Sequence, residues 1–330
     1  MNTLGVVIPC YAQERFLART LAALREPPAG WSVSGALVLA APAASELPAL
    51  DPSWRVIAAP PNAGRPLTPG AARMRGLAAC AGPWVLFVDA DVEVEAAWLA
   101  AALARVARAD VEAPRLAGLW GRIEEWFVDG ARERAGSPDL YRIGDSERSV
   151  DYLATLALYR RAALVEAGGY DARLNSEEDF ELGLRLRARG WELRTIAPRA
   201  ARHWSAPRPS FAELGRRWRT GLCFGQGQVL RLYAGRPGFA TLLRRQALYV
   251  ATLAGWALGL AAATVWLARG PAWPMAGWAL ALVLGVALLT ARKRSPRLAA
   301  HALLTWTLNG LGMLVGWFRA DRNAPREVTC

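Results

Sequence analysis

Two long uncharged segments near the C-terminus constrain the fold of this chain more than any other feature of its sequence. Residues 247–268 are 22 residues without a charged side chain, and residues 272–291 are 20 more. An α-helix rises about 1.5 Å per residue, so either segment can cross the roughly 30 Å of hydrocarbon in a bilayer. The sequence therefore predicts at least two transmembrane helices, in a membrane domain that covers residues 246–330.

A third apolar stretch, residues 298–318, is interrupted by His301, Asn309 and several glycines. It either crosses the membrane or lies at its surface. A third span would bury more apolar area, but it would put three C-terminal arginines on the outer side, against the bias of positive charge towards the cytosol. We expect three spans and keep two spans with an interfacial helix as the alternative.

Charge is distributed unevenly along the chain. Residues 1–205 hold 24 arginines against 25 acidic residues, whereas residues 206–330 hold 16 basic residues against three acids, a net charge of +13. Arginines alternate with aromatic and aliphatic residues between 206 and 245, which favours a basic amphipathic segment at a membrane interface over a solvated basic helix. The expected partner of this segment is an anionic membrane and not nucleic acid.

The N-terminal part should remain in the cytosol. No signal peptide is recognisable, and the first apolar strand pattern begins almost at once. The four cysteines are far apart and include no Cys-x-x-Cys pair, so neither a disulfide framework nor a zinc site is expected. Together with the positive charge that precedes the first span, this predicts a multi-pass protein of the inner (cytoplasmic) membrane.

Residues 1–205 alternate short apolar runs with helical patterns, which predicts an α/β domain with a parallel sheet built from βαβ units. The expected strands are residues 4–8, 36–39, 55–58, 84–88 and 153–159. Residues 110–150 have mixed charge and little periodicity. We expect them to be a loop-rich region over a functional site.

The strand at residues 84–88 runs directly into Asp89 and Asp91. In an open α/β sheet, ligands bind beyond the carboxyl ends of the strands. Residues i and i+2 of an extended chain share a face, so the two carboxylates could address one ion, and hard oxygen ligands suit Mg²⁺ or Mn²⁺. The alternative is a strand-end turn with two solvated acids.

Asp179 opens a predicted helix that ends at Gly190. Ser176 and Asp179 are three residues apart, close to a capping box, and acids in a first helical turn are favoured by the helix dipole. From these residues alone, a capping role for Asp179 is the preferred interpretation.

Six short motifs follow one another along the chain: Ile8-Pro-Cys-Tyr11, Asn62-x-Gly64, Ala72-Arg73-x-x-Gly76, Phe87-Val-Asp-Ala-Asp91, Gly168-Gly-Tyr-Asp171 and Glu178-Asp179. Their order resembles that of family-2 glycosyltransferases. The resemblance covers about residues 4–205. It implies a GT-A fold with a mostly parallel, Rossmann-like sheet, a nucleotide-sugar donor, Mg²⁺ or Mn²⁺ as cofactor, and inversion at the anomeric carbon.

The resemblance also implies roles for individual residues. Asp89 would lie near the donor ribose and Asp91 would bind the metal, while Asp179 would be the general base, with or without a capping role. The matching motifs add Pro9, Tyr11 and Arg73 to the donor-binding residues.

His203, one of only two histidines, could complete the metal site as in several GT-A enzymes, or be structural. Glu178, Arg217 and Trp218 are assigned to the acceptor or membrane side. Arg217-Trp218 resembles the end of the Gln-x-x-Arg-Trp motif of processive synthases, but Leu214 stands at the glutamine position, which argues against processivity.

In one respect the chain departs from the family pattern. The second strand ends at Leu39 and is followed by Ala40-Ala-Pro42, where the family usually has one or two acids that hold the base and ribose of the nucleotide.

Three functions follow as hypotheses. The first is an inverting, metal-dependent transferase that adds one sugar to a lipid-linked, polysaccharide or other cell-envelope acceptor, like bacterial members that build envelope or exopolysaccharide sugars. The second is a polyprenyl-phosphate glycosyltransferase, which needs no strong base because its acceptor is a phosphate. The third is a non-catalytic membrane scaffold that has kept the fold.

Overall fold

The computed structural model describes residues 1–11, 14–40, 47–58, 67–206 and 211–319. The chain divides into two compact units, one containing residues 1–207 and the other residues 208–322. The first unit combines helices and strands, and the described part of the second is helical. The predicted class, an α/β domain followed by long apolar helices, is confirmed.

The described residues of the first unit contain twelve strands and six helices. The strands are β1 (Asn2–Cys10), β2 (Trp31–Leu39), β3 (Trp54–Ala58), β4 (Trp84–Val88), β5 (Val92–Val94), β6 (Leu116–Trp120), β7 (Ile123–Asp129), β8 (Arg132–Ala135), β9 (Arg148–Ser149), β10 (Leu156–Arg160), β11 (Glu192–Thr195) and β12 (Ala201–Ser205). The helices are α1 (Glu14–Ala22), α2 (Pro69–Ala79), α3 (Ala96–Val106), α4 (Ala109–Glu112), α5 (Arg161–Ala167) and α6 (Glu178–Ala188).

Eight of the strands form one sheet, in the order β3-β2-β1-β4-β10-β6-β11-β9. The first four are parallel, whereas β10 runs antiparallel to both β4 and β6, so the sheet is mixed. All five residues of β4 are buried, because this strand lies between two others and is covered on both faces. The predicted central strand is therefore confirmed, and its end marks the middle of the sheet edge.

The other four strands form a smaller sheet in the order β5-β12-β7-β8. The expectation of a loop-rich region at residues 110–150 is wrong, since β6, β7, β8 and β9 all lie within it. Edge strand β8 is exposed along its whole length and carries charged residues. Such a strand lacks the apolar alternation on which sequence-based assignment depends.

Some predicted boundaries shift. β2 begins at Trp31 rather than Ala36, and β1 continues through Pro9, which pairs with Val38, instead of ending there. The predicted loop at residues 60–66, with its Asn-x-Gly motif, and residues 41–42 after the second strand lie outside the described residues.

Helix α2 packs closely against the large sheet. Thr68 caps its N-terminus by accepting a hydrogen bond from the Ala71 N–H, and Pro69 occupies the first turn, as both residue types favour. A Cβ atom on Gly76 would lie 2.2 Å from Val7 Cγ1 of β1. Glycine is needed there because no side chain fits at that distance.

The second unit contains α7 (Phe211–Arg219), α8 (Gly225–Leu232), α9 (Phe239–Arg245), α10 (Ala247–Leu267), α11 (Trp273–Lys293) and α12 (Pro296–Arg319). The last three are long and apolar enough to cross a membrane. Helix α12 approaches α8 through small residues: a Cβ on Gly316 would lie 2.0 Å from the Phe224 carbonyl oxygen. Close backbone contact at glycines is typical of helix packing in membranes.

Candidate active site

One buried arginine gathers three carboxylates at the carboxyl end of β4. Arg73, which is only 5% exposed, places Nη2 3.2 Å from Asp89 Oδ1. Its Nη1 atom lies 2.6 Å from Glu178 Oε1 and 3.4 Å from Asp179 Oδ1. Residues from three separate sequence motifs thus meet at one guanidinium, whose fork of N–H donors suits several carboxylates at once.

Three different elements deliver the four members of this cluster. Helix α2 carries Arg73, and the end of β4 delivers Asp89, whose backbone N–H donates to the Thr155 carbonyl at 3.0 Å. The first turn of α6 carries Glu178 and Asp179. The site therefore depends on tertiary packing of α2 and α6 around the edge of the sheet.

Asp89 and Asp91 do not share the face of an extended strand, so that part of the sequence interpretation is wrong. The Val92 N–H donates to the Asp89 carbonyl at 3.0 Å, which closes a turn between β4 and β5. The alternative is a strand-end turn with two solvated acids. The turn is present, but the acids are not fully solvated, because the side chains of Asp89 and Asp91 are mostly buried. Asp89 contacts Arg73, and Asp91 approaches His203.

The Asp91 carboxylate and the His203 imidazole form the pair of groups that could hold a metal. The distance from Asp91 Oδ1 to His203 Nε2 is 3.7 Å. Strand β12 positions the histidine by pairing with β5, and its Trp204 N–H donates to the Asp91 carbonyl at 2.8 Å. Within the described ranges, no group of three or more His, Cys, Asp or Glu side chains could hold a metal.

A carboxylate oxygen suits both Mg²⁺ and Mn²⁺, whereas an imidazole nitrogen fits the transition metal Mn²⁺ better than Mg²⁺. Mg²⁺ sites are often completed by substrate phosphates and water. A pair consisting of Asp91 and His203 therefore fits a metal that is held jointly with a diphosphate.

Asp179 does not form the predicted capping box. The N-cap of α6 is Glu177, in the left-handed conformation with φ +69°, and no side-chain hydrogen bond caps the helix there. Asp179 sits in the first turn with its side chain 20% exposed, against 8% for Glu178. Of the two neighbouring carboxylates, Asp179 is therefore the one that a substrate can reach more easily.

Burial and neighbouring negative charges raise the pKa values of two carboxylates in the cluster. Burial raises the pKa of Asp179 to about 8; Arg73 acts in the opposite direction, and Glu178 and Asp89 add to the increase. Burial also raises the pKa of Asp89 to about 6, again opposed by Arg73. A carboxylate with a pKa near neutrality is suited to accept and release a proton.

The predicted donor-binding residues Pro9 and Tyr11 lie at the end of β1. Pro9 is buried within the strand, and Tyr11 follows it and packs against α2 and β2 residues. Burial raises the pKa of the Tyr11 hydroxyl far above its ordinary value, while the charge of Arg73 lowers it. Tyr11 is thus close enough to sense the charge of the Arg73 cluster.

Several residues of this region were missed by the sequence analysis. The Tyr170 ring centre lies 5.1 Å from the Arg73 guanidinium carbon. The hydroxyl groups of Tyr141 and Thr155 share a hydrogen bond. The backbone of Thr155 has a φ of +64°, which is unfavourable for a β-branched residue. Tyr170 belongs to the Gly-Gly-Tyr-Asp motif and could have been selected, whereas nothing in the sequence signals the backbone of Thr155.

Arg217 and Trp218 lie on α7 in the second unit. Trp218 packs edge-on against Phe224, with ring centres 5.3 Å apart. Their assignment to the acceptor or membrane side stays a prediction.

Comparison with known proteins gives the class of the first unit. Residues 41–167 match the family model for glycosyl transferase family 2. Pre-mycofactocin glycosyltransferase of Mycobacterium tuberculosis (strain CDC 1551 / Oshkosh) is 33% identical over 138 residues, which are 38% of this chain and 28% of that protein. The chain therefore matches just over a quarter of the length of this curated relative.

Similar solved structures include S. aureus TarS 1–349 in complex with UDP, with 19% identity, a TM-score of 0.47, and coverage of 62% of this chain and 61% of that one. Another is GalNAc-T7 with UDP, GalNAc and Mn²⁺, with 16% identity, a TM-score of 0.47, and coverage of 68% and 48%.

Residues 41–167 of the first unit are thus similar to a family-2 glycosyltransferase domain, and the family predicted from the ordered motifs is confirmed.

Removing the Arg73 charge should destabilise the first unit. Arg73→Ala leaves three mutually repelling carboxylates without their shared cation, and losing one partner of a buried ion pair costs about 3–5 kcal/mol. We expect a clear fall in melting temperature for Arg73→Ala and a smaller one for Arg73→Lys. Arg75→Ala, two residues along α2, is the control, and an equal loss in that variant would contradict the special role of Arg73.

Proposed function

We propose that this protein is an inverting, metal-dependent glycosyltransferase that moves one sugar from a nucleotide-sugar donor to a lipid-linked or other cell-envelope acceptor. The observation that carries the proposal is the meeting of Asp89, Glu178 and Asp179 on Arg73, next to the pair formed by Asp91 and His203. This arrangement combines a basic carboxylate with candidate metal ligands at the sheet edge where α/β domains bind ligands.

Asp91 and His203 are the residues that would hold Mg²⁺ or Mn²⁺. A bound divalent cation would neutralise the negative charge that develops on the leaving diphosphate. Asp89, held by Arg73, would contact the donor ribose, and Tyr11 and Pro9 would line the same side of the donor site.

Asp179 would act as the general base. The acceptor hydroxyl attacks the anomeric carbon from the face opposite the diphosphate, and the bond between this carbon and the diphosphate oxygen breaks. The hydroxyl proton passes to Asp179, whose raised pKa improves its strength as a base. Because the attack displaces the leaving group directly, the configuration at the anomeric carbon inverts.

The helical second unit suggests where the acceptor comes from. We propose that residues 206–245 lie at an anionic inner-membrane surface, with Arg217 and Trp218 on the acceptor side, and that residues 246–330 anchor the chain. The support is the three long apolar helices together with the excess of positive charge. A membrane-attached transferase can meet a lipid-linked acceptor without releasing it into water.

A thermal-shift screen of the full-length chain in detergent tests the donor assignment. UDP-, GDP- and dTDP-sugars would be compared with and without Mn²⁺, because a ligand that binds only the folded state raises its stability, by about 2.7 kcal/mol at 100 times its dissociation constant. Stabilisation that needs both sugar nucleotide and Mn²⁺ is expected. No stabilisation by any of the three classes would favour the non-catalytic scaffold.

Asp91→Ala should abolish Mn²⁺-dependent donor binding without unfolding the protein. The substitution removes one of two candidate ligands and leaves the ion pairs of Arg73 with Asp89, Glu178 and Asp179 in place. Isothermal titration with and without Mn²⁺ measures the loss. Asp129→Ala, at the exposed end of β7, should bind like wild type, and unchanged Mn²⁺-dependent binding by Asp91→Ala would refute the metal assignment.

Asp179→Asn should keep donor binding and lose most transfer. Asparagine fits in a first helical turn but cannot accept the proton. For the wild-type enzyme, kcat/KM should rise with pH up to about 8, because a base with a raised pKa is ionised only above it.

Asp151→Asn, on an exposed side chain that pairs with Arg187, is the control and should retain both transfer and its pH profile. Near-normal transfer by Asp179→Asn would instead favour a polyprenyl-phosphate acceptor, which needs no strong base.

The number of spans can be read from the accessibility of Cys330, which lies outside the described residues. We propose three spans, so a membrane-impermeant thiol reagent should label Cys330 in intact cells after Cys10, Cys80 and Cys223 are replaced. Arg269→Cys and Ser295→Cys, in the loops after α10 and α11, serve as outside and inside controls. Labelling of Cys330 only after lysis would leave α12 in the interface.

A further inference from the structure

Strands β7 and β12 bring a third acidic residue next to the candidate metal pair. They are parallel neighbours in the small sheet, and their register sets His203 opposite Glu125 and Trp204 opposite Trp126. The two tryptophan rings are in contact, with centres 5.7 Å apart. Because side chains alternate along a strand, the side chains of His203 and Glu125 share the opposite face.

That shared face is buried around Glu125. Ile123 and Ala201, which belong to it, are fully buried, and Glu125 is only 7% exposed. Burying a carboxylate is costly unless it interacts with a polar or charged group. Glu125 is the most buried of the three acids of this strand, since Glu124 is partly exposed and Asp129, at its end, is exposed.

The orientation of His203 indicates what this carboxylate can do. Its Nε2 atom is the one nearer to Asp91, whereas its Nδ1 atom is fully buried. If Nε2 binds a metal, the ring proton resides on Nδ1, and a buried N–H requires an acceptor nearby. Histidine ligands in proteins usually donate this second N–H to a carboxylate, carbonyl or water, which fixes the ring and raises its basicity.

We propose that Glu125 is a positioning residue for the metal site and acts through His203. It is not itself a ligand, since the described residues contain no three-membered group able to hold a metal. The negative charge of Glu125 would hold the His203 imidazole in the tautomer that presents Nε2 towards Asp91. This inference rests on the proposed metal-dependent function.

Mn²⁺ binding by the full-length chain in detergent provides the test. Electron paramagnetic resonance measures free Mn²⁺ in the presence of UDP, GDP or dTDP, and its pulsed form detects nitrogen coupling from an imidazole bound to the metal. Loss of a residue that orients a ligand typically weakens metal binding about 10- to 100-fold. We expect the loss of Mn²⁺ affinity to lie near the upper end of this range for Glu125→Ala and near the lower end for Glu125→Gln, which keeps an acceptor oxygen. Nitrogen coupling should be reduced in both variants.

Glu124→Gln is the matched control, because Glu124 is the adjacent residue of β7 on the opposite face, where it pairs with Arg122 and Arg199. It should retain wild-type Mn²⁺ affinity and coupling. A Glu125 variant with a lower melting temperature but wild-type affinity and nitrogen coupling would overturn the inference and leave a purely structural role. Absence of nitrogen coupling in the wild-type protein would overturn the metal role of His203 as well.

Discussion

The site depends on a single buried cation. Arg73 is surrounded by Asp89, Glu178 and Asp179, so the cluster carries more potential negative than positive charge even before Asp91 is counted. A buried arginine without these partners would be costly, and the carboxylates without the arginine would repel one another. The remaining excess of negative charge has two consequences. Burial is the main cause of the raised pKa values of Asp89 and Asp179, and the negative charge of neighbouring acids adds to it. The same excess of negative charge suits the neighbourhood of a divalent cation.

The turn after β4 divides the acidic residues between two tasks. Asp89 remains at the edge of the large sheet and contacts Arg73, whereas the chain then enters β5 in the small sheet, so that Asp91 faces His203 on β12. One side of the site is thus fixed by an ion pair, and the other contains Asp91 and His203, the pair that we propose as metal ligands. Because one turn connects the two sheets, it fixes the position of the Arg73 cluster relative to Asp91 and His203.

The sequence determined a good deal by itself. The uncharged segments required long apolar helices, since only a helix or a closed barrel satisfies its backbone in lipid. The apolar run before Asp89 predicted the central strand, and the motif order predicted the family. The first two signals are local, because each arises from composition or periodicity within about 20 residues, where secondary structure imposes its own pattern. The third is the order of short motifs between residues 8 and 179.

Only the tertiary structure decided which distant residues contact one another. Arg73 and Glu178 are 105 positions apart and form a 2.6 Å contact because α2 and α6 converge on one sheet edge. Short, charged edge strands concealed the small sheet, and with it the positions of His203 and Glu125. The capping box expected from Ser176 and Asp179 does not form, because the N-cap of α6 is Glu177, in a left-handed conformation. Long-range convergence and local backbone strain leave no periodic trace in a sequence, because they depend on how distant segments pack.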